Sequence, residues 1–273
     1  MTSTPAITLN DGNTIPQVGY GTWPLRGEDA AVAVSAAIAA GYRHIDSARR
    51  YDNEQGVGEG IRRSGIDRAD VFVTTKFDGE FQGADRAVPA LHESLRLLGT
   101  DYVDLLLIHW PLPARGEFVS TWRTFEKLQR DGLVRSIGVS NFTPAHLETL
   151  IAETDVVPAV NQVQLSPAIP RRAYREFDAA HGIVTESWSP IKGVMGEAVV
   201  EEVAEKHGRT PAQVVLRWHV QHGLVVIPKS ADPGRMAQNL DLFDFELDAG
   251  DLAKLETLDL GPDAGVDPDV EGH

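Results

Sequence analysis

Residues 103–110 read VDLLLIHW, and two earlier stretches end in the same manner, HIDSARRY at 44–51 and VFVTTK at 71–76. Each opens as a short run rich in apolar or β-branched residues and closes on side chains that are costly to bury: Asp46, Tyr51, Lys76 and His109. A strand covered on both faces reads as such a continuous run rather than an alternating one. Five more runs complete the set: VGYGT (18–22), VRSIGVS (134–140), AVNQVQL (159–165), IVTESW (183–188) and LVVIPK (224–229). Eight strands alternating with helical stretches predict a parallel sheet, and eight is a number that closes a barrel. The ends of successive strands then meet at one rim, where the active sites of such barrels lie.

The intervening stretches carry helix signals. EDAAVAVSAAIAAG (28–41) and ADRAVPALHESLRLLG (84–99) close on Gly41 and Gly99, the residue type that suits a left-handed helix end. TPAHLETLIAE (143–153) and TPAQVVLRWHVQHG (210–223) each open on a threonine N-cap followed by proline. LDAGDLAKLETLD (247–259) predicts an extra C-terminal helix. ITLNDGNTIP (7–16) predicts a hairpin turning at Asp11-Gly12 and plugging the barrel bottom. We therefore expect one α/β domain over 1–273, a (β/α)₈ TIM barrel with these two additions, and a mobile tail over 261–273.

A chain of 273 residues can bury a large core without staples. Its formal net charge of −15 argues against nucleic acid, whose affinity comes from neutralising phosphates, and disfavours anionic membranes. Cysteine is absent, which excludes disulfides, thiolate catalysis and cysteine-ligated metals. The opening MTSTPAITLNDGN shows no secretory pattern, and no apolar run reaches the ~18 residues of a membrane span. These readings predict a cytoplasmic protein, and we expect a monomer.

Asp46, Tyr51, Lys76 and His109 at one rim predict a proton-transfer centre. A tyrosine ionising near ~10 is a poor acid or base near neutrality. An ammonium within ~4–6 Å favours the phenolate and lowers that value. Lys76 supplies the ammonium, Asp46 keeps it charged, and His109 can donate a hydrogen bond to a carbonyl oxygen. Taken singly, Asp46–Lys76 would suit a structural ion pair, His109 a satisfied core histidine and Tyr51 a packing residue. Their coincidence at strand ends favours chemistry.

GYGTW (19–23), YRHIDSARRYDNE (42–54), VTTK (73–76), VDLLLIHWP (103–111), IGVSNF (137–142), PAVNQVQLSP (158–167), ESWSP (186–190), TPAQVVLRW (210–218) and IPKS (227–230) resemble signature blocks of the aldo-keto reductases. The resemblance is strongest to the bacterial branch that includes the 2,5-diketo-D-gluconate reductases, and it spans nearly the whole chain in order and spacing. It implies an NADPH-dependent reductase, reversible with NADP⁺, acting on a small-molecule carbonyl substrate. It makes Tyr51 the proton donor, Lys76 its tuner, Asp46 the anchor of Lys76 and His109 the orienting group. It places Ser140, Asn141 and Gln162 on the nicotinamide carboxamide, which amide and hydroxyl groups can pair, and Trp188 on the ring as a stacking face. Thr22, Trp23, Asp46, Ser189, Pro190 and Ile191 complete the near part of the cofactor site. Lys229, Ser230 and Arg235 would read the 2′-phosphate at a strand-to-helix turn, with Ala231 beside them and Gln238 and Asn239 on the adenine. One charge-assisted bond contributes ~1.5–3 kcal/mol, enough for roughly tenfold or greater preference for NADPH over NADH. Trp23, Phe77 and Trp110 would wall the substrate, with Tyr51 and His109 at the reacting oxygen. No metal is expected.

Some positions depart from the family pattern. Asp78 stands where an aromatic wall is common, predicting a more polar pocket that disfavours anions; Arg49-Arg50, beside Tyr51, would favour them. The stretch IKGVMGEAVVEEV (191–203) is shorter than the usual loop after strand seven. Asp232 stands where a basic residue is common, predicting a modest NADPH preference. No G-x-G-x-x-G fingerprint is complete, and His219 and His222 read as surface histidines. A glycoside hydrolase would need two opposed carboxylates; Asp46, Asp78 and Glu186 are available, but Asp46 is better used by Lys76. A non-catalytic NADPH-binding regulatory barrel would keep Lys229, Ser230 and Arg235 and tolerate loss of the tetrad.

Overall fold

The eight strand-like runs pair side by side, and the computed structural model, which describes residues 4–273, closes them into a barrel. Residues 1–3, part of the stretch read for targeting signals, lie outside the described residues. In chain order the elements are β1 (Ala6–Thr8), β2 (Thr14–Pro16), β3 (Tyr20–Gly21), α1 (Gly27–Ala40), β4 (His44–Asp46), α2 (Glu54–Ser64), β5 (Phe72–Phe77), α3 (Ala84–Leu98), β6 (Val103–Ile108), α4 (Phe118–Arg130), β7 (Val134–Ser140), α5 (Pro144–Glu153), β8 (Val160–Gln164), α6 (Arg172–Ala180), β9 (Val184–Trp188), α7 (Ala198–His207), α8 (Pro211–Gln221), β10 (Val225–Val226), α9 (Pro233–Leu240) and α10 (Ala249–Glu256). Strands β3 to β10 are parallel and hydrogen-bonded in sequence order. A parallel bridge from Val18 to Val226, with Gly19 N–H donating to the Val226 carbonyl at 2.8 Å, joins last to first. The expected (β/α)₈ architecture is the observed one.

Strand alternation sorts the side chains. On β5 and β6, Val73, Phe77, Leu106 and Ile108 pack outward against the helices. Leu105 and Leu107 instead share a cluster with Leu9 and Ile15 of the β1–β2 hairpin, so the hairpin packs against the lower barrel as expected. Its turn takes positive φ at Gly12 alone, 87°. Gly19 has a steric reason: a Cβ there would sit 2.5 Å from His44 Nδ1.

The caps read from sequence are present. Thr143 and Thr210 accept from His146 and Gln213 backbone N–H groups, and Gly41 and Gly99 take φ of 118° and 66°. Helices α2, α4, α6 and α7 are not among those the sequence patterns predict, and α9 is implied only by the strand-to-helix turn after Lys229. In α2 the reason is visible. Its glycines lower helix propensity, yet Gly58 must stay small because a Cβ would meet the Leu98 carbonyl oxygen at 2.2 Å. His219, expected at the surface, is fully buried, with Nδ1 and Nε2 facing the Val215 and Leu165 carbonyls.

Residues 261–273, expected as a mobile tail, run across the barrel mouth. Val266 N–H donates to Gln164 Oε1 at 2.8 Å, His146 pairs with Asp269 at 2.9 Å, and Gly79 N–H donates to the His273 carbonyl at 2.9 Å. Among the described residues no helix is long and apolar enough to cross a membrane.

Candidate active site

Asp46 is the last residue of β4, and the chain then turns through a short 3₁₀ segment, Arg49–Tyr51, that brings Tyr51 over the barrel. Lys76 stands on the inward face of β5, and His109 follows β6 directly. Tyr51 and His109 pack edge to face, with ring centres 5.8 Å apart. With Asp46 they line a cleft of about 640 Å³, within the range of small-molecule sites.

The Lys76 ammonium donates to Asp46 Oδ1 at 2.6 Å and to the Ser47 carbonyl at 2.9 Å, and lies 3.5 Å from the Tyr51 hydroxyl. Lys76 has no exposed surface. Burial works against its charge, but Asp46 and the Tyr51 oxygen outweigh it and hold the ammonium above its ordinary value. Tyr51 behaves differently from the sequence expectation. Burial pushes its hydroxyl up, Lys76 pulls against this, and burial prevails. The phenol is therefore protonated at neutral pH and has a cation in place for the phenolate it would become. Burial, reinforced by Lys76, pushes the His109 imidazole well below its ordinary value. A neutral ring donates from one nitrogen only. Nδ1 is buried without a partner, and Nε2 makes no protein hydrogen bond among the described residues.

A second tier lies beneath. The Gln162 amide nitrogen donates to Asp46 Oδ2 at 2.9 Å and to Glu186 Oε2 at 3.0 Å. Both of its hydrogens are thus used, which turns the amide oxygen away from the two carboxyls. Asn141 adopts φ 63° and is locked: its nitrogen donates to the His109 carbonyl and to Ser140 Oγ, and its oxygen accepts from Trp188 Nε1 at 2.9 Å.

The structure brings most of the expected cofactor positions to the cleft. Thr22 and Trp23 line it from the end of β3, Ser140, Asn141 and Gln162 from β7 and β8, Trp188, Ser189, Pro190 and Ile191 from the end of β9, and Lys229 from beyond β10. The Trp23 ring is half-exposed and packs 5.1 Å from Tyr51. Trp110 also lines the cleft. Phe77 does not. It occupies the strand position after Lys76, so it points outward, fully buried against Phe81 and Phe125. Ser230, Ala231, Arg235, Gln238 and Asn239 lie past the cleft wall, leading into and along α9. Ser230 is buried and bonded to Asp232, whose carboxylate caps α9 by accepting from Arg235 N–H at 2.8 Å. Lys229 and Arg235 form no ion pair among the described residues.

Asp78 is not a wall of the cleft. It is buried beneath Arg50, 3.5 Å from its guanidinium, with Oδ1 unpartnered. Burial raises its carboxyl despite Arg50. Arg50 itself lines the cleft, so the more polar wall is cationic. Five further lining residues were not among the site residues read from the sequence: Gly21, Ile227 and Pro228, which lie inside the GYGTW and IPKS blocks, and Lys192 and His273. Lys192 follows the predicted Ile191 and could have been found by extending that run. His273, ring centre 5.5 Å from His109, arrives from a tail without periodicity. Among the described residues no group of three or more acidic or histidine side chains stands where it could hold a metal ion.

With this geometry in hand, the chain can be set beside known proteins. The aldo/keto reductase family profile matches residues 17–260. An aldo-keto reductase of Mycolicibacterium smegmatis is 50% identical over 266 residues, 97% of each chain. The methylglyoxal reductase DkgA of Escherichia coli is 44% identical over 276 residues, covering all of both chains. A crystal structure of a Gox0644 mutant in complex with NADPH superposes with a TM-score of 0.94 at 46% identity, over 99% of each chain. Family profile, sequence and backbone agree over most of the chain, and it belongs to the aldo/keto reductase family.

Proposed function

We propose that the protein reduces small aldehydes and ketones to alcohols with NADPH, Tyr51 supplying the proton. The observation that carries this reading is the chain Asp46–Lys76–Tyr51 beside a neutral His109 on the floor of one cleft. Bound NADPH supplies a hydride to the carbonyl carbon. The oxygen then gains charge, the His109 ring holds it by a donated hydrogen bond, and the Tyr51 hydroxyl gives up its proton to it. The phenolate left behind faces Lys76 at 3.5 Å, and solvent restores the proton. In the reverse direction the same phenolate takes the alcohol proton.

The residues present fit the cofactor. The Gln162 amide oxygen is free to accept from a carboxamide N–H, and the Asn141 oxygen has one lone pair left beside its bond from Trp188. Trp188 is braced by that bond and offers a stacking face. Lys192 and Lys229, both unpaired among the described residues, suit phosphate oxygens, with Arg235 and Ser230 beyond them for a 2′-phosphate. Because Asp232 already occupies one backbone donor of α9, we infer an NADPH preference at the lower end of the tenfold range. DkgA carries the name methylglyoxal reductase; a dicarbonyl or keto sugar of that size suits the cleft here, and Arg50 favours a substituent rich in oxygen or negative charge. We place the enzyme in the cytoplasm as a monomer.

The test is NADPH oxidation, followed by nicotinamide absorbance, against a panel of neutral and acidic carbonyls of matched size. Turnover of dicarbonyls, faster for acidic than for neutral members, is expected. Tight NADPH binding with no carbonyl turned over would refute the reading in favour of a regulatory barrel.

A further inference from the structure

Glu186 lies below the reacting groups, on the inward face of β9, and has no exposed surface. Its Oε2 accepts from Gln162, whose same nitrogen serves Asp46. Its Oε1 has no hydrogen-bond partner, and the nearest ring nitrogen, His44 Nε2, stands 3.7 Å away. The charged or titratable groups facing it come from two strands. β4 brings His44 and Asp46 and β5 brings Lys76, with Tyr51 above them; β8 supplies the neutral Gln162 and β10 pairs through valines. One ammonium thus serves two carboxyls, and it is bonded to Asp46 alone. Two anions sharing one amide in a dry interior are costly. Burial accordingly pushes the Glu186 carboxyl up to about 8, and burial pushes His44 down to about 4. At neutral pH the tier is an uncharged acid above an uncharged imidazole.

We propose that Glu186 is a positioning residue for the reaction: through Gln162 it fixes Asp46 and the amide oxygen presented to the cofactor, and its own ionisation sets how readily Tyr51 loses its proton. The inference rests on the reading of Tyr51 as proton donor, but its first test needs neither cofactor nor turnover. When Glu186 is neutral, Lys76 acts on Tyr51 opposed by Asp46 alone. When it ionises, a second negative charge stands behind Asp46 and the phenolate becomes harder to form. Reduction at neutral pH, where Glu186 is protonated, is spared; alcohol oxidation, which starts from the phenolate, is held back in alkaline solution, where Glu186 is ionised.

Tyrosinate absorbance of the apoprotein, with each protein titrated against its own Tyr51→Phe background, isolates residue 51. Glu186→Gln keeps an accepting oxygen for Gln162 and removes the charge. It is expected to lower the Tyr51 ionisation by roughly half a unit or more. Glu186→Leu removes the acceptor as well, and should weaken NADPH binding by roughly 3- to 10-fold, the scale of one lost hydrogen bond. Glu186→Gln should recover most of that affinity, which a merely space-filling role would not predict. An unchanged Tyr51 ionisation in Glu186→Gln overturns the coupling, and wild-type NADPH affinity in Glu186→Leu overturns the clamp. Should the leucine variant fail to fold, the glutamine variant still decides. If the wild type reduces no carbonyl while the ionisation shift persists, the proposed reaction falls and the coupling stands.

Discussion

Replacing Lys76 by methionine removes the one cation, among the described residues, bonded to the Tyr51 hydroxyl, while keeping the length of the side chain. Two charges 3.5 Å apart interact by about 5 kcal/mol at an effective dielectric of ~20. Asp46, bonded to the same ammonium at 2.6 Å, offsets much of this, so a net rise of about 1–3 units in the tyrosine's ionisation is the realistic outcome. That is about 1.4–4 kcal/mol less stabilisation of the phenolate. If the transition state carries most of the transferred charge, turnover falls roughly 10- to 1,000-fold. The variant also leaves Asp46 as a buried carboxylate with only the Gln162 amide, a loss of about 3–5 kcal/mol. At about 2–4 °C per kcal/mol for a chain of this size, the melting temperature drops by roughly 6–20 °C.

Stability and catalysis would therefore fall together, and a second variant separates them. Asp46→Asn combined with Lys76→Met removes both charges and most of the burial penalty, so the melting temperature recovers. Turnover does not, because the hydroxyl still lacks its cation. The assays are thermal denaturation, tyrosinate titration and steady-state reduction at saturating NADPH. Recovery of turnover in the double variant, or a Tyr51 ionisation at or below the wild-type value in Lys76→Met, would show that Lys76 acts only as a structural ion-pair partner.

Three further outcomes are expected. Tyr51→Phe should lower turnover about 10²- to 10⁴-fold and shift NADPH affinity by less than about twofold, as read by fluorescence titration. Arg235→Ala should cost about 1.5–3 kcal/mol of NADPH affinity and leave NADH affinity in place, so the ratio of the two dissociation constants reports the 2′-phosphate contact. Asp178 is buried between α6 and β9, accepting from Thr185 and Asn161, and burial raises its carboxyl from 3.8 to about 7. Its folded value lies above its unfolded one, so the folded state binds the extra proton. Its stabilising share is present at acid pH and is lost as pH rises from about 4 through about 7. Asp178→Asn, which imitates the protonated group and keeps an oxygen to accept from Thr185 or Asn161, should remove that slope. Urea unfolding near pH 8 should show it more stable than wild type by up to about 4 kcal/mol.

The barrel was legible because each buried parallel strand announces itself locally, as VDLLLIH does, and because threonine-proline caps and terminal glycines mark helices without reference to tertiary contacts. The positions expected on the cofactor rest on the family resemblance of SNF, ESWSP and IPKS; that many of them line one cleft follows because these blocks sit at strand ends, which a barrel brings together. What escaped depended on packing between distant segments. The glycines of α2 argue against a helix until Leu98 is seen pressed against it. His219 looks like a surface residue until helix α8 is placed on the barrel with Leu165 behind it. The tail carries no periodicity, and its polar contacts go to Gln164 and Arg171 at and after the end of β8, to Gly79 after β5 and to His146 on α5, three separate parts of the chain.

Phe77 and Glu186 show how much further simple alternation reaches. Side chains on a strand change face at every residue, so placing Lys76 in the barrel commits Phe77 to the helices, and the substrate wall expected there had to come from elsewhere. The same parity commits Glu186 inward once Trp188 is at the rim, and puts Gln162, its Cα partner in the β8–β9 register, beside it. A carboxyl so placed is surplus to the Asp46–Lys76 pair and has no cation of its own. It is either a defect that selection has left in a dry interior or a part of the site. Its bond to the nitrogen that also holds Asp46 favours the second, because one amide then ties this carboxyl both to the ion pair and to the cleft that Gln162 lines.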